Sequence, residues 1–282
     1  MRLVTFTESD QQPRPGALQG DRVVDLSDQI GSIQELIDGG PELLLSVHDA
    51  LGKAHSQVPL TQVTLLAPIL NPPRIFCLGL AYRDHAVETH QAIPKVPTIF
   101  LKLTSALNGP HSTVVLPKLT RQPDYEAEFA FVIGKGGKDI SPGRWQEHVF
   151  GYTIMNDVSA RDIQMSTSQW SLGNSFDTFA PLGPAIVTKD EVPDPHSLNI
   201  KLTIGGKLLQ HSNTRELIFR IPDLITYISS ITPLQPGDIV STGTPSGVGL
   251  GRTPHRWLRP GETIITEIEG IGQLINPVIA EA

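Results

Sequence analysis

The sequence has 282 residues, 39% of them hydrophobic and 18% charged, with a formal net charge of −7. That length and composition suit one large globular domain, or a main domain with a small one attached. The acidic balance and the lack of a long basic run exclude nucleic acid as a partner, and no apolar stretch reaches membrane-spanning length.

The 24 Pro and 25 Gly favour a turn-rich, β-heavy fold over a helical bundle. Cys77 is the single cysteine, which rules out an intrachain disulfide framework and fits a reducing compartment. With no apolar h-region after Met1, a cytoplasmic protein is expected, with a mitochondrial one as the alternative.

Residues 2–6 and 22–26 read as short strands around a turn-forming segment at 10–16. Helical spacing covers 32–37 and 41–51, and 63–66 is another strand. The Pro-rich passage 67–73 divides a small N-terminal α+β domain, 1–69, from the rest, 70–282. A buried-type strand at 74–78 follows, ended by Gly79. A helical segment then carries Tyr82, His85 and Glu88, with the His and Glu at i, i+3 on one face. Such a pair can orient an imidazole or activate a water, and it is equally a common surface contact.

After a strand at 98–102 comes Asp124-Tyr-Glu-Ala-Glu128, running into Phe129-Ala-Phe-Val-Ile133. Alternation along a strand puts Asp124, Glu126 and Glu128 on one face and Phe129, Phe131 and Ile133 on the other. Three like charges side by side fit a divalent cation bound by oxygen ligands, and they fit a solvated acidic face as well. The run Gly134-Lys-Gly-Gly-Lys138 is a turn and not a phosphate loop, since no Lys-Ser/Thr follows. A strand at 151–157 ends at Asp157, where both a ligand and a helix N-cap role are open, and a helix is expected over 158–164. Residues 170–184 form a long irregular loop. Strands at 198–204 and 207–210 flank the hairpin turn Gly205-Gly206. Helical character covers 215–229, where Pro222 either interrupts a helix or starts one. A strand at 239–242 ends in a glycine-rich loop, 243–249, and strands at 261–269 and 272–278 finish the chain.

Six segments together resemble the fumarylacetoacetate hydrolase family. They are Gly79-Leu-Ala-Tyr-Arg-Asp-His-Ala-Val-Glu88, the acidic strand 124–128, Asn156-Asp-Val-Ser-Ala-Arg-Asp-Ile-Gln164, Ser175-Phe-Asp-Thr-Phe-Ala-Pro-Leu-Gly-Pro184, Pro236-Gly-Asp238 and Thr242-Gly-Thr-Pro-Ser-Gly-Val-Gly249. The resemblance implies an α+β, β-rich fold whose catalytic domain is a β-roll, in a homodimer. It also implies a Mg²⁺ or Mn²⁺ site at Glu126, Glu128 and Asp157, with Asp124 behind it. His85 and Glu88 match the family's proton-transferring pair. Tyr82, Lys102, Arg161, Gln164 and Thr244 match positions around the substrate, a small 2-oxo or 1,3-dicarbonyl acid.

Two departures stand out. Leu78 stands where animal fumarylacetoacetate hydrolases have a fourth carboxylate, which resembles the three-carboxylate, domain-containing-protein-2-like branch. Asn174 stands where most relatives have a substrate-facing Lys. The expected activity is hydrolysis of a carbon–carbon bond in an acylpyruvate-like diketo acid. The alternatives are an oxaloacetate keto–enol tautomerase or decarboxylase and, because of Asn174, a weakly active or ligand-binding relative.

Overall fold

The computed structural model describes residues 1–9, 12–51, 56–88 and 91–282. A twelve-stranded sheet forms the body of the molecule. Its centre is the run Ala180–Thr188, Val149–Asn156, Ala127–Ile133, Ile239–Ser241, Ile75–Gly79 and Thr98–Lys102, each strand hydrogen-bonded to the next. A five-stranded sheet made of Lys207–Asn213, Asn199–Ile204, Thr263–Ile268, Gly272–Ala280 and Val114–Leu116 packs against it.

The strand Ala127–Ile133 is buried at all seven positions. Ala127, Phe129, Phe131 and Ile133 lie in a core shared with Ile200, Leu202 and Ile204 of the second sheet and with the helix Ile221–Ile231. Ala130 and Val132 point into a second core with Leu36, Ile37, Ile186 and Ile239. The strand therefore has no solvated face, and each buried phenylalanine contributes roughly 1.5–3 kcal/mol.

The N-terminal strands extend the same large sheet. Arg2–Thr7 pairs antiparallel with Ala180–Thr188, Leu3 opposite Ile186, and its other partners are Arg14–Gln19 and Thr64–Leu66. Part of the segment expected as a turn is thus strand from Arg14 onward, while residues 10 and 11 lie outside those described. Gly16 makes this pairing possible, since a β-carbon there would sit 2.6 Å from Val23 Cγ1. The helix Ile33–Asp38 starts at Ser32, whose hydroxyl accepts from Glu35 N–H at 3.0 Å, while the Glu35 carboxylate accepts from Gly31 N–H at 2.7 Å.

Three local expectations change. The helix expected from 158 is only Arg161–Gln164, because Ser159–Ala160 pairs as a strand with Pro123–Asp124. Residues 180–184 are strand and not loop. Pro222 opens the helix Ile221–Ile231, where its missing N–H costs nothing, and the Asp223 carboxylate accepts from Arg220 N–H at 2.9 Å. Among the described residues, no helix is long and apolar enough to cross a membrane.

Candidate active site

Neighbouring strands bring three carboxylates together. Ala127 pairs with Asn156 and Glu128 with Met155, and Asp157 N–H donates to the Glu126 carbonyl at 3.0 Å. One carboxylate oxygen each from Glu126, Glu128 and Asp157 then lie within 4.8 Å of one another, all three side chains buried. Glu128 Oε2 accepts from Ser241 Oγ at 2.6 Å and from Gly243 N–H at 3.0 Å. Glu126 Oε1 accepts from Arg161 Nη2 at 2.7 Å, and Asp157 Oδ1 from Lys102 Nζ at 2.5 Å. Asp157 Oδ2 is buried without a hydrogen-bond partner.

The electrostatics follow from that crowding. Burial, then the neighbouring Asp157 and Glu126 charges, push the Glu128 carboxyl well above its ordinary range. Burial also raises Glu126, with Arg161 pulling the other way. For Arg161, burial opposes the charge, but Glu126 and Asp124 outweigh it and the guanidinium stays protonated. Asp124 is part of this cluster, accepting from Arg161 Nε at 2.9 Å and from the N–H groups of Gly249 and Leu250 at 2.7 and 3.0 Å. With all four carboxylates ionised, the two cations Lys102 and Arg161 leave an excess of two negative charges. A divalent cation offsets that excess, and the orphaned Asp157 oxygen gives it a ready ligand. The buried Cys77 thiol is pushed well up by burial and by Asp157 and Glu128. Among the described residues the cluster that could hold an ion comprises only Glu126, Glu128 and Asp157, an oxygen-only donor set.

Beside the carboxylates is a pocket of about 160 Å³. Its polar lining includes His85, Glu126, Arg161, Gln164 and Thr244, and its apolar wall includes Leu80, Phe100 and Trp170. Gln164 Oε1 accepts from Arg161 Nη1 at 2.9 Å. Thr244 Oγ1 donates to the Ala127 carbonyl at 3.0 Å and accepts from Gln210 Nε2 at 2.7 Å. His85 Nδ1 is 3.2 Å from Glu88 Oε2, and the other Glu88 oxygen accepts from Gly247 N–H at 2.9 Å. The pair is part-buried, and its His85 lines the pocket.

Three expected substrate residues lie behind this lining. Tyr82 is fully buried in the core. Lys102 is spent on Asp157 and on the carbonyls of Val158 and Asn174. Asn174 is also fully buried, its Oδ1 accepting from Ser159 Oγ at 2.6 Å and its Nδ2 donating to the Trp170 carbonyl at 2.9 Å. Sequence reasoning passed over Ser159, Ser241, Gln210, Phe100, Trp170 and Leu80. Ser241 closes a strand ahead of a glycine loop, which is a usable signal. Leu80 gives none in sequence, although its φ of +51° is a strained conformation for a side chain of that size.

The family described as fumarylacetoacetate (FAA) hydrolase C-terminal matches residues 74–279. A Xenopus laevis protein named oxaloacetate tautomerase fahd2, mitochondrial, is 43% identical over 288 residues, covering 99% of this chain and 90% of the relative. A fumarylacetoacetate hydrolase from Exiguobacterium antarcticum superposes with a TM-score of 0.88 at 36% identity, over 100% of both chains. A maleylpyruvate hydrolase from Sphingobium sp. SYK-6, solved with manganese (II) and pyruvate, gives 0.85 at 32%, again over 100% of both. Similarity of this extent, over a sheet that assembles the same three carboxylates the motifs singled out, makes the chain an enzyme of α+β, β-rich fold that belongs to the fumarylacetoacetate hydrolase family, in the branch of its domain-containing protein 2.

Proposed function

We propose that this enzyme interconverts the keto and enol forms of oxaloacetate, or of a closely similar short 2-oxo acid, with the help of a divalent cation. The observation that carries the reading is the likeness to the frog relative, 43% identical over 99% of this chain and named for the same reaction. The pocket beside the carboxylates, about 160 Å³, suits a short acid, and oxaloacetate and acetylpyruvate are of nearly equal size. The relative's name moves the preference away from the hydrolysis favoured by the sequence.

In this reading Glu126, Glu128 and Asp157 hold Mg²⁺ or Mn²⁺. When bound, the cation supplies positive charge to the oxygen that becomes negative as the enolate develops. Arg161 and Gln164 bind and orient a substrate carboxylate from the pocket floor. His85, its ring fixed through Nδ1 by Glu88, takes the proton from substrate C3 and delivers it to the carbonyl oxygen at C2. Glu88 stabilises the imidazolium that this transfer forms. Phe100, Trp170 and Leu80 keep water away from the transfer. No water is consumed in this reaction.

Hydrolysis is the second reading, favoured by the likeness to the maleylpyruvate hydrolase solved with manganese and pyruvate. Product analysis separates the two. Metal-loaded protein is incubated with oxaloacetate and, separately, with acetylpyruvate, and the acids are resolved by chromatography. Faster keto–enol exchange of oxaloacetate with acetylpyruvate left intact is expected. Cleavage of acetylpyruvate to acetate and pyruvate without accelerated exchange would overturn the proposal. A homodimer belongs to the same reading, and a monomeric mass in solution would count against it. For location, the frog relative's mitochondrial name stands beside the cytoplasmic expectation.

A further inference from the structure

We propose that Trp170 is the stop that limits substrate length in this pocket, and that Asn174 is the residue that positions it. The inference rests on the pocket being a 2-oxo acid site, as proposed above. Trp170 meets Phe100 edge to face, with ring centroids 5.7 Å apart and planes at 74°. It also lies directly on the end of the Ile75–Gly79 strand. A β-carbon at Gly79 would fall 2.2 Å from Trp170 Cζ3, so only glycine leaves room for the indole.

The loop that carries the indole is fastened on both sides. Asn174 Nδ2 donates to the Trp170 carbonyl at 2.9 Å, and Asn174 Oδ1 accepts from Ser159 Oγ at 2.6 Å. Ser175 Oγ donates to the Ser171 carbonyl at 2.6 Å. Gly173 sits so close to Gln164 that a β-carbon there would be 2.4 Å from its backbone nitrogen. Moving the loop backbone at Trp170 outward therefore breaks these hydrogen bonds. A lysine at 174 could not make both side-chain bonds, because an ammonium donates and has no acceptor for Ser159. Asn in this position trades a charge for a clamp. With the carboxylate of a substrate bound at Arg161 and Gln164, a longer chain runs into the Trp170–Phe100 wall.

The test measures calorimetric binding of pyruvate and of 2-oxohexanoate to the Mn²⁺-loaded protein. A hydrophobic wall discriminates by roughly 10–200-fold per methylene. The wild type should prefer pyruvate, and Trp170→Ala should shift the ratio toward 2-oxohexanoate by about tenfold or more. Asn174→Ala should shift it the same way by less, with Mn²⁺ affinity retained. An unchanged ratio in Trp170→Ala that still folds and binds Mn²⁺ overturns the proposal, and an unchanged ratio in Asn174→Ala removes Asn174 from it. Should Trp170→Ala not fold, Trp170→Leu supplies the same comparison with the same two outcomes. Failure of the wild type to turn over oxaloacetate would sink the proposed reaction and leave this binding ratio able to decide the length limit.

Discussion

Lys102 Nζ lies 2.5 Å from one oxygen of Asp157, while the other oxygen of that carboxylate is buried with no hydrogen-bond partner. One carboxylate thus has two roles: one oxygen holds a lysine, and the group as a whole offers an oxygen within 4.8 Å of Glu126 and Glu128. Both side chains of the ion pair are almost fully buried. Removing the cation alone leaves an uncompensated charge, and breaking a buried pair in this way costs about 3–5 kcal/mol. Lys102→Met should therefore lower metal-free stability by about that amount. Added Mn²⁺ should recover part of the loss, since a cation returns to the carboxylate. Denaturant titrations with and without Mn²⁺ check this, and an equal loss in both would contradict it.

The raised carboxyls of Glu126 and Glu128 give a pH dependence of definite sign. In the metal-free protein they bind protons that the unfolded chain has released above about pH 4.3. The native state then holds more protons than the unfolded one, so stability falls as pH rises through that window. A cation that takes the place of the protons removes the penalty. The rise in Tm on adding Mn²⁺ should be small near pH 5 and larger near pH 8, about 4–8 °C per kcal/mol in a small domain and less in a chain of this length. A Tm shift that shrinks with rising pH would contradict the arrangement.

Ser241 is not among the residues lining the pocket, yet its hydroxyl donates to Glu128 Oε2 at 2.6 Å. Groups that orient a ligand carboxylate typically contribute 10–100-fold to metal affinity. Ser241→Ala should weaken Mn²⁺ binding by about tenfold, and Glu128→Ala by far more. Spectroscopic titration of free Mn²⁺ reads both. Full affinity in Glu128→Ala would remove the three-carboxylate site.

How much of this was legible in sequence depends on distance along the chain. Glu126 and Glu128 share a face because they are two residues apart, and alternation shows that directly. Asp124 obeys the same alternation, but the strand breaks after it. Its carboxylate goes to Arg161 and the loop N–H groups of Gly249 and Leu250, because Pro123–Asp124 pairs with Ser159–Ala160. That pairing also replaced the first half of the expected helix at 158, and no local propensity encodes it. Pro181 and Pro184 argued against a strand at 180–184, yet Ala180–Thr188 is one, held between Val149–Asn156 and Arg2–Thr7. The meeting of Gly79, Phe100 and Trp170 joins segments about 70–90 residues apart and is a matter of packing alone. Asn174 was read as facing substrate, but its amide is consumed by Ser159 and the Trp170 carbonyl.

His85 belongs to proton transfer in this account and not to metal binding, since Glu126, Glu128 and Asp157 make the cluster without it. His85→Ala should lower kcat by about a hundredfold or more, the usual scale for a positioned acid–base group. Mn²⁺ affinity should change little. Unchanged turnover would reduce the His85–Glu88 pair to a structural contact.

The most direct test follows the enol absorbance of oxaloacetate as it decays to the keto form. The rate is compared for wild-type protein loaded with Mn²⁺ or Mg²⁺, for the same protein stripped by chelator, and for buffer containing the same free metal. Decay well above the buffer rate is expected with the metal-loaded enzyme, falling to the buffer rate after stripping and returning when metal is restored. Decay at the buffer rate with the loaded enzyme, or undiminished acceleration after stripping, would contradict the proposed reaction.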